Sequence, residues 1–329
     1  MSYKDVPVVV TGAGGFIGSH LVERLVHEQA KVRCLVRYNS RGEAGMLEEV
    51  PEDIRAEIEI VRGDLRDQDA VSDSLRGASI VFHLGAIIPI PYSYLRPREV
   101  VETNVLGTLN VVNAARSQGN VRVVHTSTSE TYGTARYVPI DEAHPLQGQS
   151  PYAASKIAAD KIVESFVLSY DLPAVTIRPF NTFGPRQSTR AIIPTLITQA
   201  LTMDQILVGD LTPTRDLNFV QNLVEAFLAA GTVDKAIGEV INVGTGIEIS
   251  IGDLAQKIQH LTGRDVPLVK DPSRIRPAKS EVRQLLAEIE KARLILDWRP
   301  SVSLEDGLEQ TIRWISSNID HYNPGTYHV

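Results

Sequence analysis

The chain has one cysteine, Cys34, in 329 residues. No intrachain disulfide can form, and a reducing, cytoplasmic setting is expected. Positive charge is not in excess: 33 Lys and Arg stand against 40 Asp and Glu, a formal net charge of −7. Without a basic tract, a nucleic-acid backbone is excluded as the main partner, and a small molecule is expected instead. Long hydrophobic runs are missing too. The longest apolar stretch, 80–90, is broken by His83, Gly85 and Pro89, far short of the roughly 20 residues that cross a bilayer. The apolar run near Met1 follows Lys4 and Asp5 and stops at Thr11-Gly12, which reads as a first strand and not as a secretion signal. The eight histidines show no metal-ligand spacing, so no metal is expected.

What is present is ordinary for a globular protein: 43% hydrophobic and 22% charged residues. The length calls for one large domain with a smaller one. The first half alternates short β-rich runs with helical patterns, the spacing of a parallel α/β sheet. Strands are expected at Val6–Val10, Lys31–Val36, Ile58–Arg62, Ser79–Leu84, Val121–His125 and Ala174–Arg178. Helices are expected at Phe16–Gln29, Asp67–Leu75, Glu99–Gln118 and Ser150–Tyr170. Such a series gives a Rossmann-type doubly wound sheet with its ligand crevice at the carboxyl ends of the strands. After Pro179 the segments shorten and prolines recur, with helices expected at Ile192–Leu201, Asn222–Ala230, Ile251–Leu261 and Leu304–Ile315. Residues 1–179 are read as the dinucleotide-binding domain. Residues 180–329 are mainly a smaller α/β substrate lobe, with segments near 216–243 returning to the main sheet.

The run Thr11-Gly12-Ala13-Gly14-Gly15-Phe16-Ile17-Gly18 puts glycines 12, 15 and 18 directly after a strand and at the opening of a helix. A pyrophosphate needs that arrangement: a tight turn, a close backbone and a helix N-terminus facing the anion. Phe16 and Ile17 open that helix. At the end of the second strand, a carboxylate would meet the ribose hydroxyl of NAD and an arginine the 2′-phosphate of NADP. The chain has Val36-Arg37-Tyr38-Asn39 there, so NADP is favoured by charge over NAD, with a solvated arginine beside NAD as the alternative. Asp64 and Leu65, in Gly63-Asp64-Leu65, sit where the adenine end would be met; Asp64 could equally cap the helix starting near Asp67.

Tyr152 and Lys156, in Tyr152-Ala153-Ala154-Ser155-Lys156, are four apart and share one helix face. A phenol with pKa of about 10 is a poor base at neutral pH. An ammonium and an oxidised nicotinamide nearby favour the phenolate, letting Tyr152 remove a hydroxyl proton as hydride leaves the same carbon. Thr126-Ser127-Thr128-Ser129-Glu130 lies at the end of the fifth strand. Trp298 and Trp314 read as core anchors, and His83 and His125 as packed residues at strand ends.

These motifs, with HLGA, ETNVLGT around Asn104, RPFNTFGPR, TPTRD and RIRP, run nearly end to end. Together they resemble the extended short-chain dehydrogenases/reductases that act on nucleotide sugars. The resemblance implies a retained nicotinamide cofactor, a nucleotide-sugar substrate and commonly a homodimer. It gives Thr128, Tyr152 and Lys156 the hydroxyl-orienting, base and tyrosine-tuning roles. Asn181 matches a position that meets the sugar or its phosphate. Arg215 and Arg276 match arginines that clamp the diphosphate, and Arg274 could share that work.

Members of this group part ways after oxidation at C4. Epimerases only rotate and reduce the keto-sugar, and their position equivalent to Glu130 is typically not acidic. A 4,6-dehydratase must also take the C5 proton and expel the C6 hydroxyl, work for a carboxylate. Thr128-Ser129-Glu130 resembles the Thr-Ser-Glu of GDP-mannose 4,6-dehydratases and lacks the aspartate of the dTDP-glucose enzymes, so Glu130 would serve both steps. UDP-glucuronate decarboxylases share Thr-Ser-Glu. The flanking segments, YNSRGEAGML among them, look most like dehydratases of bacterial legionaminic-acid pathways, which act on UDP- or GDP-linked N-acetylglucosamine. The expected function is therefore such a dehydratase, with a UDP-sugar 4-epimerase or UDP-glucuronate decarboxylase as alternatives. A dinucleotide-sensing binding protein would be marked by a missing Tyr or Lys, and both are present.

Overall fold

The computed structural model describes residues 2–274, 277 and 279–322. The first half runs β1 (Pro7–Thr11), α1 (Phe16–His27), β2 (Lys31–Val36), α2 (Glu52–Ala56), β3 (Ile58–Arg62), α3 (Gln68–Leu75) and β4 (Ile80–His83). There follow α4 (Ile90–Leu95), α5 (Pro97–Val101), α6 (Gly107–Ser117), β5 (Arg122–Thr126), α7 (Pro151–Tyr170) and β6 (Ala174–Pro179). Beyond it come β7 (Asn181–Phe183), α8 (Ile192–Thr202), β8 (Ile206–Val208), β9 (Thr214–Phe219), α9 (Val220–Thr232), β10 (Val240–Val243) and β11 (Glu248–Ser250). The chain closes with α10 (Ile251–Thr262), β12 (Leu268–Lys270), β13 (Gln284–Leu285), α11 (Glu290–Leu296) and α12 (Leu304–Ser317).

Seven parallel strands form the main sheet in the order β10-β6-β5-β4-β1-β2-β3. The order reverses beside β1, where Thr11 pairs with His83 on one side and Leu35 on the other. That reversal opens the crevice in which a doubly wound sheet binds its ligand. Alternate residues of each strand point to opposite faces. Val8, Val10, Phe82 and Val124 join the core beneath α1 and α9, whereas Val9, Val81 and Val123 join the one beneath α3, α6 and α7.

Of the segments near 216–243, β10 returns to the main sheet beside β6, with Val240 opposite Thr176. Strand β9 instead lies in a smaller sheet between β11 and β13, and β7 also pairs with it. Asn181 and Arg215, far apart in sequence, thereby come onto neighbouring strands. Trp298 is buried, its indole donating to the Asn222 carbonyl at 2.8 Å.

Helix ends follow their local chemistry. Ser150 caps α7 by accepting from the Ala153 amide at 3.1 Å, with Pro151 in the first turn. The helix expected over Glu99–Gln118 is not continuous: residues 102–106 form a π-helical turn between α5 and α6. Such a turn carries one extra residue per hydrogen-bonded ring and re-aims a side chain. Here the re-aimed side chain is Asn104, which is buried and brackets the Ile87 backbone, accepting from its N–H at 2.7 Å and donating to its carbonyl at 3.0 Å.

Candidate active site

The glycine loop after β1 divides its glycines by task. Gly12 has φ +70°, and a Cβ there would come within 2.7 Å of the Gly85 nitrogen. On Gly18 a Cβ would run into the Gly12 carbonyl, which fixes the closeness of α1 to β1. Gly14 was not singled out by the spacing, yet a Cβ there would sit 2.5 Å from the Ala44 carbonyl oxygen. The loop after β2 is packed against it, and Met46 N–H donates to Gly14 at 2.9 Å. Gly15 differs. Among the described residues, a Cβ there would touch only the Gly12 carbonyl oxygen, at 3.2 Å.

Protein packing thus presses on Gly15 less than on Gly12, Gly14 or Gly18, and a pyrophosphate would use the space its missing side chain leaves. Helix α1 opens at Phe16 and Ile17 with no side-chain cap and no acid in its first turn. Its N-terminal dipole is left for an anion. The residues present fit a dinucleotide.

At the adenosine end, Arg37 is exposed and faces the Asp64 carboxylate at 3.8 Å. Asp64 also pairs with Arg66 at 2.7 Å, and the Arg66 hydrogen bond holds its carboxyl below the ordinary range. Asp64 does not cap α3. Asp67 does, accepting from the Asp69 and Ala70 amides at 3.0 and 3.2 Å, because the turn at 64–67 places it one residue ahead of the helix. Leu65 presses on two glycines: a Cβ at Gly85 or Gly107 would meet it at 2.6 or 2.9 Å.

Thr128, Glu130, Tyr152 and Lys156 converge at the carboxyl end of β5. Thr128 caps the short 3₁₀ turn Ser129–Tyr132. Its hydroxyl faces the Tyr152 phenol and favours the phenolate, and the Glu130 charge also acts on that phenol. Tyr152 is buried, and burial pushes it above its ordinary range while Thr128 pulls the other way. Lys156 is buried as well and donates to the Thr126 carbonyl at 2.7 Å. Loss of water lowers its pKa to about 8, with Asp160 opposing the shift. Glu130 is half-buried, and among the described residues its carboxylate makes no hydrogen bond or ion pair.

Behind this group lies a buried polar cluster that the sequence did not reveal as functional. Asp160 accepts from Ser127 Oγ at 2.6 Å, shares a 3.0 Å hydrogen bond with His125 Nε2, and pairs with Arg178 Nη2 at 2.8 Å. Arg178 also donates to Tyr132 Oη at 2.8 Å, and Tyr132 to Asn242 Oδ1 at 2.7 Å. His125 and His83 stack with ring centroids 5.6 Å apart. Burial above all keeps both imidazoles below their ordinary pKa, so they sit neutral in the core. The available signal was spacing: Tyr152, Lys156 and Asp160 repeat at four on one helix face.

The substrate-lobe residues are spread more widely. Asn181 opens β7, and among the described residues its Oδ1 is buried with no hydrogen-bond partner. Arg215 lies in β9, donates to the Thr214 carbonyl at 2.8 Å and pairs with Glu281 at 3.2 Å. Arg274 pairs with Asp271 at 3.1 Å. Arg276 lies outside the described residues. Among the described residues no helix is long and apolar enough to cross a membrane, and no cluster of metal-binding side chains occurs.

Known proteins resemble this chain over nearly its whole length. A UDP-glucose 4-epimerase of Mycolicibacterium smegmatis is 34% identical over 93% of this chain and 97% of its own. A UDP-N-acetyl-alpha-D-glucosaminuronate decarboxylase of Bacillus cytotoxicus is 32% identical over 93% and 96%. Among solved structures, DesIV, a dTDP-glucose 4,6-dehydratase of Streptomyces venezuelae with NAD bound, superposes with a TM-score of 0.86. It is 29% identical, covering 97% of this chain and 99% of that one. The family described as GDP-mannose 4,6 dehydratase matches residues 9–311. The chain belongs to that family, within the extended short-chain dehydrogenases/reductases.

Proposed function

We propose that the chain is a nucleotide-sugar 4,6-dehydratase acting on UDP- or GDP-linked N-acetylglucosamine. The observation that carries this reading is Glu130, a carboxylate without a partner among the described residues, beside Thr128 and Tyr152 where an epimerase needs none. Gly12, Gly15, Phe16, Ile17 and Gly18 would hold the dinucleotide's pyrophosphate, with Arg37, Asp64 and Leu65 at its adenosine end. When bound, the nicotinamide supplies an acceptor and later a donor of hydride. Solved relatives carry NAD; Arg37 is the group that would favour NADP, its charge shared with Asp64.

Tyr152 Oη takes the proton of the C4 hydroxyl, which Thr128 orients, while the Lys156 ammonium stabilises the phenolate. The C4 ketone makes the C5 hydrogen acidic. Glu130 removes that proton and returns one to the C6 hydroxyl, which leaves as water. C6 would take back the hydride from the bound nicotinamide, and C5 a proton from solvent, balanced by the one that Tyr152 releases, to complete a 4-keto-6-deoxy sugar with net loss of one water. Asn181, Arg215, Arg274 and Arg276 would hold the sugar and diphosphate. A homodimer is part of the proposal, and light scattering on the purified protein tests it.

Mass spectrometry of UDP- and GDP-N-acetylglucosamine incubated with the protein in D₂O tests the reaction. Loss of one water with uptake of one deuterium is the expected result. A 4-epimerase is the second reading, favoured by the Mycolicibacterium relative; unchanged mass with inverted C4 would establish it. Loss of carbon dioxide from UDP-glucuronate would instead mark a decarboxylase.

A further inference from the structure

We infer that Asp160 is a positioning residue for the Tyr152–Lys156 pair: its carboxylate keeps the Lys156 ammonium charged and pins the end of β5 against α7. The inference rests on Tyr152 and Lys156 being the catalytic pair, whichever sugar they serve.

The geometry has two parts. Asp160 Oδ1 meets His125 and Oδ2 meets Ser127, the residues on either side of Thr126. Thr126 is the residue whose carbonyl accepts from Lys156 at 2.7 Å, and the next residue but one is Thr128, which faces the Tyr152 phenol. One carboxylate, 5% exposed, therefore fixes the strand end that aims both partners of the pair.

The second part is charge. The titratable groups that act on Lys156 are Asp160 on its own helix, His83 on β4 and His125 on β5; Arg178 on β6 pairs with Asp160, and Glu130 in the 3₁₀ turn acts on Tyr152, one helical turn before Lys156. The two histidines are neutral, and Arg178 is a second buried cation. Asp160 is the buried anion among them, so it alone offsets two cations in a medium that penalises charge. Lys156 is the cation that can shed its proton, and burial already brings it down to about 8.

The test reads Lys156 directly in the dinucleotide-loaded protein without any sugar. Lysine labelled with carbon-13 at Cε is titrated by NMR, the Lys156 signal being identified by its loss in Lys156→Arg. In Asp160→Asn the Lys156 titration should move down by about one pH unit or more, and Asp160→Glu should restore it. In Arg178→Gln, which removes a cation and leaves Asp160 undiluted, it should move up. A purely structural role would not produce opposite signs. Titrations that stay put, or move together, would overturn the inference. If Asp160→Asn fails to fold, an unmoved or lowered titration in Arg178→Gln overturns it alone. Turnover of UDP-N-acetylglucosamine by the wild type is scored separately, so failure of the dehydratase reading is distinguishable from failure of this one.

Discussion

The side-chain amide of Asn104 donates to Ser155 Oγ at 2.9 Å, and Ser155 in turn donates to the Tyr152 carbonyl at 2.7 Å. The π-helical turn is thus bonded to the first turns of α7, which carries Tyr152 and Lys156, and, through Ile87, to the loop after β4.

Asn104→Ala strands the Ile87 amide and carbonyl together with Ser155. Leaving such groups unsatisfied costs about 2 kcal/mol or more. Urea unfolding should show that loss as a lower midpoint with an unchanged slope, and dinucleotide affinity should weaken because the loop at 85–87 flanks Gly12.

Tyr152→Phe should lower turnover by about 10²- to 10⁴-fold, the usual worth of a positioned acid–base group. Dinucleotide binding should survive. The check is optical: wild-type protein given the nucleotide sugar passes through a reduced cofactor, and the variant's absorbance should stay that of the oxidised form. Reduction at the wild-type rate would remove Tyr152 from the base role.

Glu130→Gln should separate oxidation from elimination. The carboxamide keeps the shape but cannot take a proton, so reduced cofactor should accumulate while water loss and deuterium uptake at C5 fall by at least about 10²-fold. Unimpaired water loss would sink the assignment of Glu130.

Arg37→Glu should cost NADP affinity about tenfold or more relative to NAD, since a 2′-phosphate would then face Asp64 and a second carboxylate. Isothermal titration of both dinucleotides into wild type and variant decides it. An unchanged ratio would mean that Arg37 is only a solvated neighbour of Asp64.

Acid should reveal Asp160. Burial by itself would raise its carboxyl, but the hydrogen bond with His125 and the Arg178 charge win and hold it well below the ordinary range. The sign is set by which state takes the proton first. As pH falls, the unfolded chain protonates near 3.8 while the folded chain resists, so the stability linked to this group is full above that value and is lost below it. Urea midpoints measured from about pH 5 down to about pH 3 should therefore fall more steeply in wild type than in Asp160→Asn. Parallel slopes would contradict the shift.

The parts legible in sequence were those with a local physical cause. Strands β2 and β3 and the start of α8 arise from apolar runs, and α10 and α12 start where Ser250 and Ser303 cap them. Tyr152 and Lys156 stood out because their spacing matches a helix turn. The π turn at 102–106 left no such mark, because its cause is the Ile87 backbone, 17 residues from Asn104. Asp64 and Asp67 are chemically interchangeable as caps, and only the turn between them decides which one serves. Asp160 shares a helix face with Tyr152 and Lys156, but its meaning depends on β5 and β6 arriving beside it. The side of β9 on which Arg215 lies, and its pairing with Glu281, likewise depend on segments distant in the chain.

Strand β10 has a practical consequence for anyone cutting or splicing the gene. Although it is encoded after the first strands of the smaller lobe, it completes the edge of the main sheet by pairing with β6, and α9 just before it covers one face. A fragment stopped at Pro179 would present β6 as a bare edge, open to pairing with another copy, and would lack part of its covering layer. Exchanging the nucleotide pocket with a relative therefore takes at least two junctions, on either side of 220–243, and a single crossover would yield insoluble hybrids.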